Sequence, residues 1–101
     1  MIEYKLIKKN KGMIGLMVRG HAFYAPMDKD IVCAAVSSTC YTAVNGCIKQ
    51  VKSDKDINVQ VCKPGHFVFT VVDTPETRAL IEATHLQLEN IAKQYPQCFK
   101  H

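Results

Sequence analysis

No apolar run in the chain approaches the roughly 20 residues that a membrane-spanning helix requires. The amino-terminal stretch MIEYKLIKKNKG has no apolar segment after a basic start and no small-residue cleavage site. Neither a secretory signal nor a membrane partner is therefore expected, and a cytoplasmic location is. There is no C-x-x-C motif. The five cysteines, Cys33, Cys40, Cys47, Cys62 and Cys98, are odd in number and too sparse for a small secreted disulfide scaffold, so free thiols are expected. Repeats, linkers and low-complexity segments are missing too. A chain of 101 residues suits one core and is too short for two, which predicts a single domain over 1–101.

What is present is the balance of a globular protein, with 48% hydrophobic and 22% charged residues. Lys and Arg exceed Asp and Glu by 13 to 9, giving +4, and apart from KKNK at 8–11 the basic residues are scattered. That is a mild bias and not a nucleic-acid-binding stripe.

IEYKLI (2–7) and MIGLMVRG (13–20) read as two strands joined by a turn in KKNKG. DIVCAAVSSTCYTAVNGCIKQVKS (30–53) follows as an amphipathic helix capped by Asp30, with Cys33, Val36, Cys40, Ala43, Val44, Cys47, Ile48 and Val51 at helical spacing. Asn45-Gly46 is a turn signal inside it, so either the helix breaks there or a neighbouring backbone packs close. INVQVC (57–62), with Ile57, Val59 and Val61 on one face, and HFVFTVV (66–72) form a second hairpin across KPG. A last helix, 74–95, opens at Thr74-Pro75, carries Leu80, Ile81, Leu88 and Ile91 on one stripe, and stops before Pro96. The order ββαββα predicts an α+β two-layer sandwich, with about four mainly antiparallel strands and two helices on one face.

The segment GHAFYAPMDKDIVCAAVS (20–37) is the chemical centre of interest. Its loop is longer than the usual four to six residues. Its far end puts Cys33 in the first helical turn, where N–H groups and the helix dipole favour an anion such as a thiolate. The dipole supplies only roughly 0.3–1 kcal/mol, and the Asp30 carboxylate opposes it, so a strongly activated thiol needs a cationic partner. His21, at the end of the second strand, is the candidate, because imidazole beside thiol is the pairing that activates a cysteine nucleophile. Ser37, one turn after Cys33, either orients the thiolate or substrate or bonds back to the carbonyl four residues earlier. The competing reading makes Cys33 the start of a buried stripe with Cys40 and Cys47.

GHAFYA followed by DIVCAAVS, with TAVNG further along and a last helix ending in Tyr-Pro, resembles the ribosomal-processing cysteine protease family, Prp, over nearly the whole chain. The resemblance implies a cysteine endopeptidase that removes the N-terminal extension of a large-subunit ribosomal protein. His21 would be its base and Cys33 its nucleophile, with Gly20, Asp30 and Ser37 as supporting residues and the chain paired as a homodimer. No cofactor is expected. Asp30 would either cap the helix or hold His21. Phe23 stands where the family usually has Gly, and Asp28 where a Gly commonly precedes Lys-Asp. Both replacements stiffen the loop, since Gly tolerates positive φ, and they bear on loop mobility and substrate fit. Phe23 and Tyr24 would either contact a peptide as the loop closes or anchor the loop to the domain.

The alternative function is a non-enzymatic ribosome-associated or RNA-binding module, which the net charge and KKNK would suit. The aromatics, however, are not interleaved with basic residues on a recognisable strand motif. Cys62 with His66 and Cys98 with His101 fall short of metal-site spacing, so no metal is expected. His85 is expected at the surface or the core edge.

Overall fold

The computed structural model describes residues 1–9, 11–26 and 29–100. Its elements are β1 (Glu3–Lys9), β2 (Met13–Arg19), α1 (Ile31–Gln50), β3 (Ile57–Lys63), β4 (His66–Val72) and α2 (Pro75–Gln94). The strands form one sheet in the order β1-β2-β4-β3, antiparallel at every pairing. Both helices pack together against one face of it, as the α+β two-layer reading expects.

Alternation sorts the two central strands. Ile14, Leu16 and Val18 of β2 and Phe67, Phe69 and Val71 of β4 are buried beneath the helices. On α1 the buried stripe is Val32, Val36, Cys40, Ala43, Val44 and Cys47. Its composition and length would allow it to cross a membrane, yet its apolar side is spent on the sheet and on α2. Ile48, expected on that stripe, is 50% exposed, because at 3.6 residues per turn it falls to the side of the line through Cys47 and Val51, which stay against the core. The helix stops at Gln50 and not at residue 53.

Asn45-Gly46 does not break α1. The reason for glycine there is a side chain, not a backbone: a Cβ on Gly46 would stand 3.1 Å from Leu80 Cδ1 of α2. The clean alternation expected across 57–62 also fails. A bulge between Val59 and Val61 shifts the register, so Cys62 lies opposite the core residue Phe67, and Val61 turns to the other face opposite Val68. Val59 faces the helix side opposite Phe69, but β3 is an edge strand beyond full helix cover, and Val59 is 37% exposed.

The α2 stripe is completed by polar residues that the apolar pattern passes over. Thr77 and Thr84 are buried beside Ile81, Leu88 and Ile91. Thr77 Oγ1 donates to the Val72 carbonyl at 2.6 Å and accepts from Thr74 N–H at 2.9 Å, while Thr74 Oγ1 accepts from Thr77 N–H at 3.2 Å. This reciprocal box starts α2 at the end of β4. After α2 a short 3-10 turn, Pro96–Cys98, brings Phe99 alongside Ile2 in a parallel bridge. Ile2 N–H donates to the Cys98 carbonyl at 2.8 Å, and Lys100 N–H to the Ile2 carbonyl at 2.7 Å.

Thr77→Val preserves shape and removes the hydroxyl, leaving the Val72 carbonyl and the Thr74 N–H without these partners. Urea unfolding is expected to show a loss of about 1–3 kcal/mol; a neutral result would mean the box does not hold α2 to β4.

Candidate active site

Three chain segments meet at one end of the sheet. β2 runs antiparallel to β4, so Arg19 lies opposite His66, and the next residue, Gly20, donates its N–H to the Gly65 carbonyl at 2.9 Å. Gly20 has φ +103, and a Cβ there would stand 2.1 Å from the Met1 carbonyl oxygen. Only glycine fits this position. The chain then presents His21, buries Ala22, and returns through the loop to α1.

Asp30 controls that return. Its Oδ1 accepts from Val32 N–H and Cys33 N–H, both at 3.0 Å, which is the helix cap. Its Oδ2 accepts from Tyr24 N–H at 2.9 Å and Ala25 N–H at 3.3 Å, which ties the loop to the same carboxylate. Burial pushes the Asp30 carboxyl up, but donation from the Cys33, Ala25 and Tyr24 backbone, with a further contribution from the Cys33 side chain, outweighs it and holds the group below its usual range. Of the two roles expected for Asp30, the geometry supplies the cap. The same bonds use up N–H groups at the helix start, since Ala34 N–H also donates to the Asp30 carbonyl at 3.1 Å. A different donor is aimed at the thiol: Ala22 N–H lies 3.3 Å from Cys33 Sγ.

Cys33 is half-buried, unlike Cys40 and Cys47, so it departs from their stripe. Burial pushes the Cys40 thiol up to about 12 and the Cys47 thiol to about 11, leaving both protonated near neutral pH. All five cysteines are free. Cys33, His21, Gly20, Asp30 and Ser37 line one cavity of about 550 Å³, completed by Ile2, Lys29, Ile31, Ala34, Val36, Pro64 and Gly65. Ile2, Pro64, Gly65 and the Ala22 N–H are the parts that sequence spacing misses. Only the glycine of KPG carried a signal there, and that signal was for a turn.

The two loop aromatics separate. The Tyr24 ring packs edge-on against Tyr95 with centroids 5.2 Å apart, which is the anchoring role. Phe23 has φ +53 and is 78% exposed, its ring centroid 6.1 Å from that of His21. A left-handed backbone is what glycine would adopt there without steric cost, so Phe23 holds an exposed aromatic ring near His21 against its own conformational preference. Asp28 lies outside the described residues.

The other chemistry-bearing residues are elsewhere. Cys62 faces the core and His66, opposite Lys63 and Arg19, the other face of the sheet, while Cys98 is buried and His101 lies outside the described residues. His85 Nδ1 pairs with Glu89 at 3.0 Å and its ring packs on Tyr4. Lys8, Lys9 and Lys11 sit around the β1–β2 turn, at the opposite end of β2 from the cavity.

A small α+β domain presenting one accessible thiol and one imidazole to a shared cavity has the make-up of a cysteine protease. The family model "Cysteine protease Prp" matches residues 1–100. The chain is 29% identical over 98 residues to the ribosomal processing cysteine protease Prp of Staphylococcus aureus, covering 94% of this chain and 92% of that protein. It is 30% identical over 92 residues to the Mycoplasma genitalium protein of the same description, covering 90% and 89%. The crystal structure of the S. aureus ribosomal processing protease Prp with a covalently linked product peptide superposes with a TM-score of 0.79 at 26% identity, over 99% of this chain and 96% of that one. The chain belongs to the Prp family of ribosomal processing cysteine proteases.

Asp30→Asn retains an acceptor for Val32 and Cys33 but turns an amide N–H₂ toward Tyr24 and Ala25. A loss of about 2 kcal/mol is expected at neutral pH. Because the folded carboxyl lies below its ordinary value of about 3.9, the advantage of wild type over Asp30→Asn is complete above about pH 5 and shrinks as the pH falls through the folded value. Melting curves from pH 3 to 7 read this directly, and a gap that widens in acid would contradict it.

Proposed function

We propose that this chain is an endopeptidase that removes the N-terminal extension of a large-subunit ribosomal protein, with Cys33 as nucleophile and His21 as general base. The observation that carries the reading is the shared cavity: an accessible thiol at the start of α1 and the imidazole at the end of β2 open onto the same space. Support comes also from the relative in S. aureus, a ribosomal processing protease whose product peptide is covalently linked.

In this mechanism His21 takes the Cys33 proton, and the thiolate adds to the scissile carbonyl. The tetrahedral intermediate collapses, the C–N bond breaks, and the imidazolium gives its proton to the leaving amine. His21 then deprotonates a water that attacks the thioester, releasing the acid and the thiol. Because Asp30 occupies the N–H groups of Val32 and Cys33, the Ala22 N–H beside Sγ is the donor placed to meet the oxyanion. Asp30, Gly20 and Ser37 act as supporting residues, the first by capping α1, the second by turning the chain into His21, the third from the cavity wall one turn after Cys33.

Phe23 offers the substrate an apolar contact beside the base, while Tyr24 holds the loop to Tyr95. The enzyme works in the cytoplasm, where ribosomal proteins are made and where five unpaired thiols persist. It acts as a homodimer; the sheet face away from the helices, with half-buried Ile7, Met17 and Val68, is compatible with a partner.

Cys33→Ala is expected to lower cleavage of a peptide spanning the extension junction by at least about 10³-fold while leaving the melting temperature close to wild type. Retained turnover in that variant would end the proposal.

A further inference from the structure

We infer that Gly65 is a positioning residue for the base, acting through the side chain it does not have; the inference rests on His21 being the general base. Gly65 closes the two-residue turn between β3 and β4 after Pro64, with φ +86, the geometry that Pro-Gly suits. A Cβ built there would stand 2.6 Å from His21 Cε1, 2.8 Å from Nε2 and 3.3 Å from Nδ1. The imidazole therefore lies against the bare face of this glycine. The Gly65 carbonyl accepts the N–H of Gly20, the residue before His21, at 2.9 Å. One residue thus fixes the backbone leading into the base and provides the surface on which its ring rests.

Gly12, in the turn of the other hairpin, supplies the contrast within the same molecule. It has φ +72, and a Cβ there would meet nothing within 4 Å. Both turns demand a left-handed residue, but only at Gly65 does the missing side chain leave room for a neighbouring group. A methyl at 65 would force the His21 ring back by roughly 0.8 Å to regain a 3.4 Å contact. Displacement on that scale costs a reacting pair about 10- to 100-fold in rate.

The test compares Gly65→Ala and Gly65→Asn with Gly12→Ala and Gly12→Asn in the full chain. Asn accepts a left-handed backbone more readily than Ala and still carries the Cβ. Cleavage of the junction peptide is followed for kcat, KM and the pH profile of kcat/KM, alongside melting temperature. The Gly65 variants are expected to lose about 10- to 100-fold in kcat, with KM within about threefold and a displaced pH profile, whereas the Gly12 variants lose similar thermal stability and keep kcat within about twofold. Gly65 variants that turn over like their Gly12 counterparts would overturn the inference, as would a Gly65→Asn chain that fails to fold when Gly12→Asn folds. His21→Ala and Cys33→Ala separate the two levels. If both are inactive and the Gly65 variants are active, only the positioning role falls; if either cleaves at the wild-type rate, the catalytic reading falls and takes this inference with it.

Discussion

The Asp30 carboxylate is the interaction on which the site depends. It accepts from four backbone N–H groups, two at the start of α1 and two in the loop that precedes it. The first pair orients the turn that carries Cys33. The second pair brings Tyr24 and Ala25 onto the same anion, folding the loop back so that Ala22 is buried and its N–H reaches Cys33 Sγ. Hydrogen bonds to an ionised acceptor are about twice as strong as neutral ones, so one buried carboxylate both begins a helix and holds the segment linking His21 to Cys33. The same occupancy has a chemical consequence: the N–H groups of Val32 and Cys33 that an uncapped helix would offer to an anion are already engaged, and the N–H that reaches Cys33 Sγ comes from the loop, at Ala22.

Around this clip, the sheet order brings together parts that are far apart in the chain. β2 and β4 are central neighbours, so the end of β2, the β3–β4 turn and the start of α1 share one edge of the molecule. Left-handed backbone recurs there, at Gly20, Phe23 and Gly65. Gly20 and Gly65 are glycines because a side chain would collide with the Met1 carbonyl and with His21. Phe23 carries a side chain in that conformation, and its exposed ring lies beside His21. The chain termini contribute too, since the bridge between Ile2 and Phe99 holds Ile2 in the cavity wall.

Periodicity and turn chemistry made the ββαββα order, the Asp30 cap and the Thr74 start of α2 legible in the sequence, because each is a local signal. Departures arise where a local pattern meets a tertiary constraint. Gly46 sits within a continuous helix because Leu80 packs on it, and the β3 bulge reverses the faces of Val61 and Cys62. Thr77 and Thr84 enter the core because their hydroxyls are satisfied by Val72 and Leu80 carbonyls. Residue type and spacing led to the expectation that His21 and Cys33 lie together, and both line one cavity; the positive φ at position 23 was readable from the resemblance to a family with glycine there. The placement of Gly65 and Ile2 in the cavity wall was not readable, because it depends on strand order and on contacts between the chain ends, for which a single sequence carries no local signal.

The central claim is that His21 and Cys33 form one functional pair. Alkylation rates of all five cysteines, measured against pH in wild type and in His21→Ala, test it most directly. The account predicts that Cys33 reacts far faster than the other four near neutral pH and slows in His21→Ala, with Cys40, Cys47 and Cys98 protected by burial. Uniform rates across the cysteines, or a Cys33 rate indifferent to the loss of His21, would contradict it.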